Sequence, residues 1–252
     1  MNRIFLSGTL KNIQASVDPR NLIKLPHELI SFWKSWRVYK KGYSGSYPIK
    51  ILPILYEETQ KSTFDPHYVL QAYWATQRII NNHASFPIHV DISSNLSFIV
   101  QLSAIIPVIQ MEFRPPAIRV SSLYKISGNI LRLPFADKSI QSLSCLHVIE
   151  HIGLGRYGDP LDIRGSWKAL AETKRVISKN GNFFLSVPIG RPNIFFNAGC
   201  VFDAKDIIEF FQEFKLVEFS FVDDSGCLIE FADIKSAQYM KYALGLFHFK
   251  LI

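Results

Sequence analysis

The sequence holds three cysteines, Cys145, Cys200 and Cys227, and none of their spacings is that of a metal-binding pair. So sparse and odd a set excludes a disulfide-built fold and a cysteine zinc site, and it fits ordinary buried thiols in a reducing compartment. Long apolar runs are missing too. The longest, residues 96–111, is interrupted by Gln101, Ser103 and Pro107 and falls short of a membrane-spanning helix. The apolar residues 4–6 are too few for a signal-peptide core, so a cytoplasmic location is expected. Charged residues are scarce at 19% against 48% hydrophobic, the balance of a core-forming chain rather than a disordered one. At 252 residues there is room for one large α/β domain with an N-terminal extension.

The charge that is present is unevenly placed. Residues 1–61 carry ten Lys/Arg against four Asp/Glu, whereas the remaining 191 residues carry eighteen against seventeen. A nearly neutral main domain offers no extended phosphate track, so no nucleic-acid partner is expected. Residues 1–26 lack periodicity and end at Pro26, which predicts irregular chain, and residues 27–41 have helical spacing. Basic residues there alternate with Trp33, Trp36, Tyr39, Tyr43 and Tyr47. The expectation is an amphipathic helix with solvated lysines. The alternative is peripheral contact of residues 27–50 with an anionic membrane surface. The division falls at residues 1–63 and 64–252.

From residue 64 on, helix and strand signals alternate. Asp65-Pro66 is a capping carboxylate followed by a helix-opening proline, and the spacing of Val69, Leu70, Tyr73, Trp74 and Ile80 predicts a helix to residue 82. Strands are predicted over residues 86–92, 107–113, 122–129, 140–146, 183–187, 214–221 and 242–251. Helices are predicted over 96–106, 166–178 and 204–211. Strand one ends in Asp91 and leads into Ser93-Ser94-Asn95; strand two ends in Glu112, 21 residues after Asp91, which fits one strand–helix–strand unit.

The most informative stretch is residues 129–162. It runs from Asn129 through Leu-Pro-Phe and a polar turn into an apolar strand, then into His147-Val-Ile-Glu-His151 and a loop punctuated by Gly153, Gly155 and Gly158. This stretch resembles the class I S-adenosylmethionine-dependent methyltransferases. Within them it is most similar to a methyltransferase-like family catalogued as a domain of unknown function, from about residue 64 to the end. The resemblance implies a Rossmann-like seven-stranded α/β sandwich, closed by an antiparallel strand pair, with S-adenosylmethionine as cofactor.

It also implies a site. Asp91, Ser93 and Ser94 fall in the cofactor turn, Glu112 at the ribose position, Asn129 at the adenine position and His147 at the cofactor edge. The chain departs from the class in having no glycine in that turn. Serine does not readily take positive φ and fills space a ligand would use, so a scaffold protein without cofactor affinity is the rival reading. Glu150 and His151 are expected to face the acceptor, His151 as general base, with Arg156 and Asp159 orienting a small or glycan-like hydroxyl compound. His147-x-x-Glu150-His151 also matches the inverted zinc-hydrolase pattern. That pattern needs a long helix and a third ligand. Neither is evident beside the loop glycines, so no metal is expected.

Overall fold

The computed structural model describes residues 19–56 and 64–252. The chain divides into two compact units, residues 1–63 and 64–252. In the first, helix α1 spans Pro19–Gly42 with Pro26 inside it. Residues 19–26 are therefore helical rather than irregular; residues 1–18 of that expectation lie outside the described residues. A proline there removes the hydrogen bond to the carbonyl four residues back and crowds that carbonyl, at about 3 kcal/mol, yet the 24-residue helix continues through it. Glu28 of α1 accepts a hydrogen bond from Tyr56 N–H at 3.1 Å, which brings the segment after the helix back along it.

The second unit opens with α2 (Pro66–Asn81), whose first turn is capped by Asp65 accepting from His67 N–H. Then follow β1 (His89–Ile92), α3 (Leu96–Ser103), β2 (Val108–Glu112), β3 (Leu123–Ser127) and β4 (Ile140–Leu146). The chain continues through α4 (Gly165–Val176), β5 (Ile177–Ile189), a hairpin of β6 (Asn193–Phe195) and β7 (Gly199–Val201), and α5 (Ala204–Phe210). It ends with β8 (Phe214–Val222), β9 (Leu228–Ile229), α6 (Ile234–Ala237) and β10 (Ala243–Leu251).

Among the described residues the main sheet has the order β3-β2-β1-β4-β5-β10-β8-β9. Strands β1 to β5 pair in parallel, and β10 lies antiparallel between β5 and β8, the closing pair the resemblance implied. The two-residue edge strand β9, the β6–β7 hairpin and α6 were not anticipated. Strand β5 begins six residues earlier than expected. Helix α4 hands over directly at Val176, and Asn180 takes φ of 62°, a conformation asparagine tolerates.

Alternation along the strands gives the sheet two apolar faces. Leu143, Phe183, Leu185, Phe247 and Phe249 pack on one side with Ala169 and Leu170 of α4 and Ile207 of α5. Leu146, Phe184, Leu244 and Leu246 pack on the other with Trp74 and Ile79 of α2 and Phe98, Ile99 and Leu102 of α3. Helices cover both faces because a parallel sheet buries both. The strand order reverses between β1 and β4, and ligands of such sheets bind beyond the strand ends at that point.

Candidate functional site

A cavity of about 510 Å³ opens beyond the carboxyl ends of β1, β2 and β4, at the reversal point. Its size lies within the roughly 300–1,000 Å³ of ordinary small-molecule sites. Six of the ten site residues expected from sequence line it: Ser93, Glu112, Asn129, His147, His151 and Asp159.

The turn after β1 is where expectation and structure part most instructively. Ser93 adopts φ of 54°, so the serine takes the left-handed conformation expected only of glycine. Its N–H donates to the Met111 carbonyl at 3.0 Å, which ties the turn to β2. Asp91 is fully buried and lies beneath the turn rather than in the cavity wall. One carboxylate oxygen accepts from Ser94 N–H at 3.0 Å and the other from the Ser144 hydroxyl. Burial pushes the Asp91 carboxyl up to about 6, against the pull of these donors. Ser94 is buried as well, and its hydroxyl accepts Leu146 N–H at 3.0 Å. Both residues thus build the turn instead of lining the cavity.

Behind Asp91 the polar chain continues into the sheet. His89 is fully buried between the hydroxyls of Ser142, at 2.8 Å from Nδ1, and Ser144, at 2.9 Å from Nε2. Since Ser144 donates to Asp91, it accepts from His89 Nε2–H, and Nδ1 accepts from Ser142. Burial holds the imidazole neutral, with its pKa lowered to about 3.

Glu112, at the end of β2, is partly exposed in the cavity wall, with one oxygen accepting Phe113 N–H at 2.8 Å. Asn129 lies past the end of β3, which stops at Ser127, and its Oδ1 accepts Leu131 N–H at 2.9 Å. Tyr68, from the first turn of α2, was not foreseen as a site residue. Its ring stacks on that of His147, with centroids 4.9 Å apart. The signal available was position alone: an aromatic residue at the start of a helix that precedes strand one.

His147 leaves β4 with φ of 60°, and a 3-10 turn, Ile149–His151, follows. This sharp pair of bends brings His147 Nδ1 onto a Glu150 oxygen. Burial opposes charge on His147, but the Glu150 carboxylate bonded to it prevails and holds the imidazole above its ordinary value. Glu150 is 1% exposed, so it lies behind the histidines and does not face an acceptor as expected. His151 lines the cavity; its Nδ1 sits 2.7 Å from the Ala198 carbonyl, and its Nε2 3.6 Å from Glu150. A carbonyl only accepts, so Nδ1 carries the hydrogen and Nε2 of the neutral ring holds the lone pair. Donor atoms of His147, Glu150 and His151 lie within 4.8 Å of one another. The helix required by the zinc-hydrolase pattern is absent, yet the three side chains converge.

The glycine loop is held from within. Asp159 accepts Gly153 N–H at 2.9 Å and Tyr157 N–H at 3.2 Å. Desolvation works against the Asp159 carboxylate, but these backbone donors outweigh it and hold its pKa below the usual range. Arg156 lies outside the cavity wall; it donates to the Ala198 carbonyl at 2.9 Å and covers the Tyr157 ring at 5.2 Å. Its observed contacts fasten the loop to the β6–β7 hairpin, whereas Tyr157 and Asp159 lie in the cavity wall.

A parallel sheet extended by an antiparallel strand, with its cavity at this reversal point, is the fold of the class I S-adenosylmethionine-dependent methyltransferases. A sarcosine dimethylglycine methyltransferase candidate from Galdieria sulphuraria superposes with a TM-score of 0.51 at 11% identity, over 72% of this chain and 85% of that one. The MccD protein superposes with a TM-score of 0.50 at 12% identity, over 71% and 96%. Within this fold the chain belongs to the family described as Caenorhabditis protein of unknown function, DUF268, whose model matches residues 109–245. No curated protein matches it in sequence.

Proposed function

We propose that the protein is an S-adenosylmethionine-dependent methyltransferase acting on a small or glycan-like hydroxyl acceptor. One observation carries this reading: the crevice beside the glycine-less turn is open, because Ser93 bends the backbone as glycine would. A scaffold protein that had lost its ligand would be expected to fill that space with side chains. The donor set also suits the cofactor. Glu112 at the end of β2 suits ribose hydroxyls, Asn129 suits the adenine edge, and the turn at Ser93 leaves room for the methionine part. The cofactor, when bound, supplies an electrophilic methyl group.

The chain's own residues supply the rest. Tyr157, Asp159 and Pro160 form the loop side of the cavity and position the acceptor there. The acceptor hydroxyl loses its proton at the cluster of His147, Glu150 and His151, where His151 Nε2 offers a lone pair. Calorimetric titration of the full chain with S-adenosylhomocysteine tests the cofactor site. Binding that Glu112→Ala abolishes supports the reading. A folded protein that takes up none of the ligand returns the molecule to the scaffold class.

A further inference from the structure

The structure assigns a divalent transition-metal site to His147, Glu150 and His151, with its open side toward the cavity. Three features argue for it. The donors, two imidazoles and a carboxylate, are the mixed nitrogen–oxygen set that suits zinc, iron(II) and their neighbours rather than magnesium or calcium. Glu150 is buried to 1% exposure, and its Oε2 has no hydrogen-bond partner among the described residues. An unpartnered, buried carboxylate oxygen is costly, and a cation held by both oxygens of Glu150 would remove that cost, with Oε1 already on His147 Nδ1 and 3.6 Å from His151 Nε2. Finally, His151 is already set for ligation. Its Nδ1–H is fixed by the Ala198 carbonyl, the outer-partner arrangement that turns the other ring nitrogen's lone pair to a metal.

The backbone explains why so short a segment suffices. Left-handed His147 and the following 3-10 turn fold residues 147–151 back on themselves, so donors that a helix would place on one face converge here without it. Both histidines line the cavity whereas Glu150 lies behind them, so the unfilled coordination positions point toward bound molecules. An oxygen of the acceptor is the ligand that would occupy them. Bound there, it would be more acidic than the free hydroxyl and would lose its proton to solvent, since the metal takes the His151 Nε2 lone pair that serves as base in the metal-free protein. This role deepens the methyltransferase reading and rests on it; the metal site itself does not.

The experiment uses the full chain expressed without a histidine tag. Elemental analysis by mass spectrometry is expected to find about one zinc-class ion per chain. Chelated protein should regain Zn²⁺ in a titration, raising its melting temperature, and should give visible d–d absorption with Co²⁺. His151→Ala and, as a gentler change, Glu150→Gln should weaken Zn²⁺ binding by more than the roughly 10–100-fold typical of losing an outer partner. Metal-free purified protein that shows no saturable Zn²⁺ or Co²⁺ binding overturns the assignment, as does unchanged affinity in both variants. S-adenosylhomocysteine titration of the same samples separates the two proposals. Metal without S-adenosylhomocysteine binding leaves the metal site standing and removes the methyltransferase reading, and the reverse result does the opposite.

Discussion

The hydroxyl of Ser94 accepts the backbone N–H of Leu146 across 52 positions of sequence, at 3.0 Å and out of reach of solvent. This bond staples the turn after β1 to the last residue of β4. Ser93 stands on one side of it and His147 on the other. The two halves of the cavity therefore share one fastening.

Removing it has a defined effect. Ser94→Ala leaves a buried amide without a partner, a loss of about 1–3 kcal/mol. Chemical denaturation should show that loss. S-adenosylhomocysteine affinity should fall with it, although Ser94 lies outside the cavity wall.

Ser93 bears the opposite sign. A side chain held at positive φ costs about 1–2 kcal/mol, and glycine's extra freedom in the unfolded chain returns about 0.5–1 kcal/mol of that. Ser93→Gly should therefore raise stability slightly and keep ligand affinity. Ser93→Val, whose branched side chain opposes φ of 54°, should lower both. A Ser93→Gly protein clearly less stable than the parent would show that the hydroxyl matters more than the backbone strain.

The pH dependence of stability should change with Asp91. Its carboxyl ionises near 6 when folded and near 3.8 when unfolded, so the folded chain holds a proton in that window that the unfolded chain releases. Stability from this group is fully present below about 3.8 and is lost as pH rises through 6. Two units correspond to about 3 kcal/mol at neutral pH. Asp91→Asn can still accept Ser94 N–H, and its amide can donate to Ser144 once His89 switches tautomer. The variant should be more stable than the parent at pH 7, with the advantage gone near pH 4, as urea titrations across that range would show. His89 acts in the other direction: with a folded value near 3, it costs both proteins stability as pH falls below 6.5.

Gly153 closes the loop against Asp162, whose N–H donates to its carbonyl at 3.0 Å. At φ of 89°, a β-carbon there would lie 2.2 Å from the Asp162 carbonyl oxygen. Gly153→Ala should cost more than about 1 kcal/mol and release the loop. Asp159→Asn, which weakens the same anchorage from the side chain, should speed hydrogen exchange at Gly153 and Tyr157 with a smaller loss of stability.

Much of the frame was legible because local signals agreed. The limits of β4 followed from an apolar run between a polar turn and two histidines, and α2 from Asp65-Pro66. Glu112 and Asn129 line the cavity because they stand at the end of β2 and just past the end of β3, on the side where the cavity opens. What spacing could not carry was direction. Glu150 and His151 are neighbours in sequence, yet one is buried and the other lines the cavity, since a 3-10 turn follows a left-handed residue. The edge strand β9 exists through its pairing with β8, which no short window contains.

The Ala198 carbonyl receives both His151 and Arg156, and it sits in the turn between β6 and β7. That hairpin carries Ile194, Phe195 and Phe196 outward, each more than half exposed. The cavity-lining ring of His151 is thus steered by a peripheral element with its own apolar handle. Divergence among relatives can retune the orientation of His151 by altering the hairpin while every residue in the cavity stays the same.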